Sequence, residues 1–170
     1  MVELLHRPGF LGTAGNFATD ATLVLMVAVA ITFSIGFVLA RLGKYEAHRW
    51  VQTSAAVLSS GLVMWLMILP YRDFIIPGLP GRLTEPFYAV TTLHALVGAI
   101  AFPFGAFVVL RGHGLVPARL RFANYKPFMR AAYGLYLAAI ALGILVYIVW
   151  FVTNPNPPMF GSRASLGWAR

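Results

Sequence analysis

Between Phe87 and Leu110 the chain reads FYAVTTLHALVGAIAFPFGAFVVL, with one histidine and no charged residue. As a helix it would extend roughly 36 Å, more than the roughly 30 Å hydrocarbon core of a bilayer. A soluble protein can bury one such helix, but rarely several in a short chain. Three further apolar runs accompany it, over 21–40, 50–69 and 131–152. A helix satisfies its own backbone in lipid, so each run can cross. The expected fold is all-α: a polytopic membrane protein, a single four-transmembrane-helix antiparallel bundle over 21–152. An N-terminal segment, 1–20, and a C-terminal tail, 153–170, flank it.

Composition agrees. The chain is 59% hydrophobic and 11% charged, against about 25% charged in soluble domains. The net charge of +8 does not point to nucleic acid, because the basic residues flank apolar runs instead of forming one stripe. Cysteine is absent, which excludes disulfides, thiolate metal sites, cysteine nucleophiles and cysteine-linked haem. Residues 1–20 fit a signal peptide poorly, since Arg7 stands well before the first apolar run and Asp20 intervenes. They read as an exposed leader, a surface strap or a docking arm.

The loops set the orientation. Arg41, Lys44 and Arg49 in 41–49, and Arg111, Arg119, Arg121, Lys126 and Arg130 in 111–130, face one acid, Glu46. On the opposite side Arg7, Arg72, Arg82, Arg163 and Arg170 are offset by Glu3, Asp20, Asp73 and Glu85. The positive-inside rule places loops 41–49 and 111–130 in the cytoplasm and both termini outside a multi-pass inner (cytoplasmic) membrane protein. Trp50, Tyr71, Tyr88 and Trp150 fall near span ends, where interfacial aromatics belong. Thr19 or Asp20 is the expected cap of the first helix, and Thr84, with Pro86 in the first turn, that of the third. Pro70 is expected to close the second helix. Loop 70–86, rich in proline and glycine, argues against a long helix, and Phe74-Ile75-Ile76 within it could lie against the membrane or a partner. Small residues in the second run, among them Ser59, Ser60 and Gly61, suit close helix approach in lipid.

His94 lies roughly 10 Å inside the outer end of its span. Gly98, Ala101 and Gly105 share its face by three-and-four spacing, so it points at a neighbouring helix. An intramembrane histidine invites a functional reading; the alternative is a neutral imidazole bonded to a neighbour. At similar depth stand Tyr147, Met64, Trp65 and Met26. His94 and Tyr147 form a reasonable hydrogen-bond pair. His94 with Met64 or Met26 could ligate haem or copper, although methionine at such depth also serves as packing. His48, at the cytoplasmic mouth of the second span, lies roughly 20 Å away in depth, so the two histidines should not share one haem. It is a tentative cofactor ligand or a headgroup-facing residue, while His6 and His113 are weaker candidates. The spans carry no paired carboxylates, no nucleophile with a neighbouring base and no phosphate loop, so no enzyme is expected.

Lys44-x3-His48-Arg49-x-Val-Gln, the His94-Ala-Leu span, Leu110-Arg111-Gly112 and Gly143-x3-Tyr147 resemble the DUF420 family of small four-helix membrane proteins. The resemblance covers roughly 21–152. It implies a link to haem-copper oxidase assembly, with His48 and His94 on two of the family's recurrent histidines. A further family histidine is replaced here around Asn124-Tyr125-Lys126. The resulting expectation is a non-enzymatic accessory or assembly subunit of a membrane electron-transfer complex, foremost a respiratory haem-copper oxidase. Its partners would be other integral membrane subunits and lipids, without nucleic acid. The competing expectations are a small redox or cofactor-binding (haem or copper) membrane protein using His94 and His48, and an accessory subunit of a photosynthetic complex. No cofactor is favoured by the residues themselves.

Overall fold

The computed structural model describes residues 7–121, 123–154 and 157, with the side chains of Trp65 and Leu66 outside the description. Glu3, His6, Arg163, Trp168 and Arg170 also lie outside it. The described residues are helical, and no strand forms among them; a single bridge joins Pro8 to Asn16. The long helices are α1 (Phe17–Arg41), α2 (Tyr45–Leu62), α3 (Pro86–Gly112) and α4 (Lys126–Tyr147). Three stretches are long and apolar enough to cross a membrane: Phe17–Arg41, Pro86–Gly112 and Lys126–Val152. The last is α4 with its π-helical extension, Ile148–Val152. α2 is not among them, because its first ten residues carry Glu46, Arg49, Gln52, Thr53 and Ser54.

The helix ends differ from expectation for identifiable reasons. α1 begins at Phe17, and its cap is Asn16, whose side chain accepts from the Thr19 amide at 3.0 Å. Thr19 and Asp20 are therefore inside the first turn, and Asp20 is occupied elsewhere. α3 begins directly at Pro86 after Glu85, which makes no side-chain cap bond, so Thr84 does not cap it. Proline at the first position needs no partner for the amide it lacks. α1 and α3 both end in a Schellman turn. After α1, Gly43 donates to Ala40 and Lys44 to Leu39; after α3, Gly114 donates to Arg111 and Leu115 to Leu110. Gly43 and Gly114 take φ of 74° in these turns, a left-handed value costly for any residue with a Cβ.

Pro70 does not end the second helical run. The chain continues through a π-helical segment, Val63–Met67, an α turn, Ile68–Pro70, a second π-helical segment, Tyr71–Ile75, and a 3-10 turn, Ile76–Gly78. Proline lacks an amide and its ring crowds the carbonyl four residues back, and widened turns accommodate both. Phe74 and Ile75 consequently face inward: Ile75 is fully buried, while Ile76 remains 52% exposed.

The helices form a ring in which α1 packs on α2 and α4, and α3 packs on α4 and α2. Every seam pairs early residues of one helix with late residues of the next. Gly36 meets His48 and Phe33 meets Gln52. Thr91 meets Trp150, and Ser34 meets Tyr133. Tyr71 meets Thr92, and Thr53 meets His113. One core cluster takes residues from all four helices: Met26, Val29, Phe33, Ala55, Leu62, Ala101 and Tyr136. A second joins Ile75, Tyr88, Tyr147, Trp150 and Phe151 at the end formed by loop 70–86. Tyr88 and Trp150 are thus buried packing residues, not interfacial anchors; of the aromatics named for that role, Trp50 is the one left well exposed, at 56%. The outward faces are apolar, with Ile31, Ile35 and Val38 of α1 and Leu93, Leu96 and Ile100 of α3 all exposed.

Close approach occurs at particular small residues. A Cβ on Gly105 would collide with the Tyr136 ring and one on Gly36 would lie 2.6 Å from Gln52 Nε2, whereas Gly61 and Gly98 have open space. In α2 the buried small residue is Ala55, not Gly61. Gly105→Ala is therefore expected to destabilise the protein by about 1–3 kcal/mol through overpacking, and Gly98→Ala, inside the helix with open space for a Cβ, to leave stability unchanged or raise it by up to about 1 kcal/mol. Thermal unfolding in one detergent compares the two directly; equal shifts would contradict this packing.

Candidate functional site

His94 turns inward from α3, as its small-residue face suggests. Its Nδ1 lies 2.9 Å from the carbonyl oxygen of Ala139 on α4. A carbonyl only accepts, so Nδ1 carries the proton and, in the neutral ring, Nε2 keeps the lone pair. The ring edge rests on Gly143. A Cβ placed there would lie 3.2 Å from His94 Cε1, 3.0 Å from Met26 Cε and 3.2 Å from Met26 Sδ. Gly143 thus lets a histidine and a buried thioether approach the same small volume from α3 and α1. His94 and Met26 are the pair the structure brings together; Met64 is 60% exposed and faces away. The reason is helical phase: Leu62 is buried, and a residue two positions on points nearly opposite.

Tyr147 does not pair with His94. Its hydroxyl donates to Asp20 Oδ1 at 2.6 Å and lies 2.6 Å from Thr13 Oγ1. A carboxylate is a stronger acceptor than a neutral imidazole, and Tyr147 has only one proton to give. Thr13 must then donate to Tyr147, while its own oxygen accepts from the Gly15 amide at 3.2 Å. The second carboxylate oxygen, Oδ2, accepts from the Leu11 amide at 2.7 Å. Asp20 is fully buried and makes no ion pair among the described residues. A Cβ on Gly9 or Gly15 would collide with this carboxylate. The Ala14 amide adds a bond of 3.1 Å to the Phe151 carbonyl. Residues 7–16 therefore form a strap fastened over the ends of α1 and α4, which is the strap alternative for this segment and not the free leader.

Asp20 is the residue that sequence reasoning misplaced. Read as a helix cap at the edge of the first span, it left the spans without a buried carboxylate. The available signal was Gly-rich sequence on one side and an uncharged run on the other, which leaves a carboxylate there no cationic neighbour along the chain.

His48 is half-buried, with Nδ1 2.7 Å from the Gly36 carbonyl. The His113 Nε2 lies 2.8 Å from Thr53 Oγ1, and its ring meets Trp50 edge-on at 5.6 Å. His48, His94 and His113 each sit on a different seam, and no group of three or more His, Asp or Glu side chains forms among the described residues.

Outside the helices, Arg82 grips Glu85 through two bonds of 2.7 Å and donates to the Tyr88 hydroxyl at 2.7 Å. The Arg82 guanidinium holds the Glu85 carboxyl below the usual glutamate range. A carboxyl depressed in the fold stabilises above its unfolded value and loses that contribution as pH falls through the folded value. The Glu85 side-chain NMR titration should have its midpoint below that of a free glutamate and move up in Arg82→Gln.

For the strap, Asp20→Ala leaves the Leu11 amide without its acceptor and the Tyr147 hydroxyl with Thr13 alone. Hydrogen exchange at Leu11 should quicken by about tenfold or more, the equivalent of about 1.4 kcal/mol for a hydrogen bond to a charged group. Unchanged exchange at Leu11 would show that the carboxylate does not fasten the strap.

Comparison of the chain with family models, curated proteins and solved structures gives no match.

Proposed function

We propose that the chain is a four-crossing membrane protein serving as a non-enzymatic accessory or assembly subunit of a membrane electron-transfer complex. The second run, 50–69, supplies the fourth crossing of an antiparallel bundle. Loops 41–49 and 111–130 face the cytoplasm, and both termini face out across the inner membrane. What supports the crossings is the pairing of apolar outer faces with polar groups turned inward. What supports the direction is the basic excess of the two loops.

The observation that carries the accessory reading is the use to which polar side chains in the seams are put. His94 bonds Ala139, His48 bonds Gly36, Gln52 bonds Phe33, Thr53 meets His113, and Trp150 bonds Thr91. Each joins two helices instead of facing an open cavity. Such a molecule offers partners a rigid shape and an apolar exterior. The resemblance to the DUF420 family directs the choice of complex to a respiratory haem-copper oxidase. Solubilisation in mild detergent should recover the chain with subunits of such a complex, and its deletion should lower the amount of assembled oxidase. Failure to co-migrate, together with unchanged oxidase assembly on deletion, would rule this function out.

A second reading has its own observation. His94 presents a free Nε2 while Met26 brings a thioether to the same volume over Gly143. Imidazole and thioether are a donor set for copper(I); from the sequence, His94 with Met64 or Met26 is the metal candidate, and Tyr147 and His48 are the further cofactor-binding candidates. Metal analysis and a reduced-minus-oxidised spectrum of the purified chain distinguish it. Stoichiometric copper or haem lost in His94→Leu would favour a cofactor-binding protein, and its absence from the native preparation would remove that reading.

A further inference from the structure

One face of α1, bordering the α4 seam, runs toward the basic end of the molecule. Ala30, Ile31, Ser34, Ile35, Val38 and Leu39 line a shallow groove of about 450 Å³ there. Ala30, Ser34 and Val38 follow one another at four-residue spacing, and Arg41, seven residues after Ser34, continues the same face. The groove therefore descends along the helix for roughly 14 Å and ends at a guanidinium.

The α1–α4 seam borders this groove. Phe37 stacks on Tyr133 of α4, with ring centroids 5.0 Å apart and planes 9° apart. Arg41 lies over the Phe37 ring at 5.9 Å, and Ser34 Oγ meets the Tyr133 hydroxyl at 3.0 Å. On α4, Arg130 and Lys126 precede Tyr133 by three and seven residues and share its face. The antiparallel pairing brings Lys126 to the level of Arg41 and Arg130 to the level of Phe37, one turn away. Arg41, Lys44, Lys126 and Arg130 are exposed and make no ion pair among the described residues. Glu46, at the start of α2, is the one acid among the residues of both basic loops.

An apolar channel that leads into a group of exposed cations with no ion-pair partner among the described residues matches one kind of occupant: an acyl chain joined to an anionic headgroup. Arginine forks pair with phosphate oxygens in two parallel hydrogen bonds. We propose that the outer α1–α4 seam holds an anionic phospholipid, its phosphate on Arg41 and Arg130 and one acyl chain along Ala30, Ser34 and Val38. The proposal rests on the reading of the chain as a membrane protein and is independent of its membership in any complex. The stacked Phe37–Tyr133 pair forms the floor on which Arg41 is held, so the guanidinium is oriented before the lipid arrives.

Native mass spectrometry of the full chain, purified from membranes and exchanged into mild detergent, tests this. Phosphatidylglycerol and phosphatidylcholine of identical acyl chains are titrated in. The expected result is a first adduct of phosphatidylglycerol at least about tenfold tighter than that of phosphatidylcholine, the ratio that one charge-assisted hydrogen bond supplies. Arg41→Gln/Arg130→Gln should lose that preference, Arg72→Gln should keep it, and Arg41→Lys/Arg130→Lys should retain part of it in a folded chain. Equal binding of the two lipids by the unaltered chain would overturn the proposal without recourse to any variant. So would displacement of the lipid by millimolar inorganic phosphate, which would mark a simple anion site. A dimer that forms without lipid and dissociates in the glutamine variant would assign the face to a second copy instead. Recovery of the chain in the membrane fraction, and its co-migration with other subunits, are measured separately and do not depend on this result.

Discussion

An oxygen or nitrogen surrounded by hydrocarbon can bond only to protein, and the seams of this molecule are arranged around that constraint. The bonds across them are few and distributed: imidazole to carbonyl between α3 and α4, amide to carbonyl between α1 and α2, hydroxyl to hydroxyl between α1 and α4. Lipid gives little hydrophobic incentive for helices to associate, because its tails are as apolar as leucine. Shape and satisfied polar contacts must do so. The seams combine both, and glycines facing rings, at Gly105 under Tyr136 and at Gly143 under His94, let the contacts form.

The sequence was most legible where hydropathy is unbroken. Long uncharged runs announced α1, α3 and α4 to within a few residues, because helix length in lipid is set by a single dimension. It was less legible in the second run, where apolar and polar residues alternate irregularly and a proline looks like a terminator. Residue type alone suggests a cap, yet the cap of α1 is decided by which residue stands just before the first helical turn. Asn16 serves because it stands directly before the helix with its side-chain oxygen within reach of the Thr19 amide, while Asp20, inside the first turn, bonds the Leu11 amide and the Tyr147 hydroxyl.

The inward aim of His94 was readable from Gly98, Ala101 and Gly105, of which Ala101 and Gly105 proved buried. Its partner was not. Equal depth made Tyr147 attractive, but depth says nothing about rotation around the helix or about a competing acceptor. The competitor lay on the neighbouring helix α1, 127 residues away in the chain. Likewise Met26 and Met64 were indistinguishable by depth, and only the packing of α1 against α4 separated them. Long-range pairings of this kind leave no periodic trace in a single sequence.

The widened turns on either side of Pro70 act as a phase correction. Leu62 and Ile75 are thirteen positions apart, and an ideal α-helix would set them roughly 140° apart, nearly on opposite sides. Each π-helical segment behaves as one inserted residue that the spiral absorbs. With two absorbed, the interval counts as about eleven residues, or three turns with roughly 20° left over. Both side chains therefore return to the inside of the molecule, Leu62 in one cluster and Ile75 in the other. The chain thus spends two residues to keep one face continuous past a proline. The spacing between those two residues is fixed as a sum, so a deletion on one side of Pro70 can be balanced by an insertion on the other.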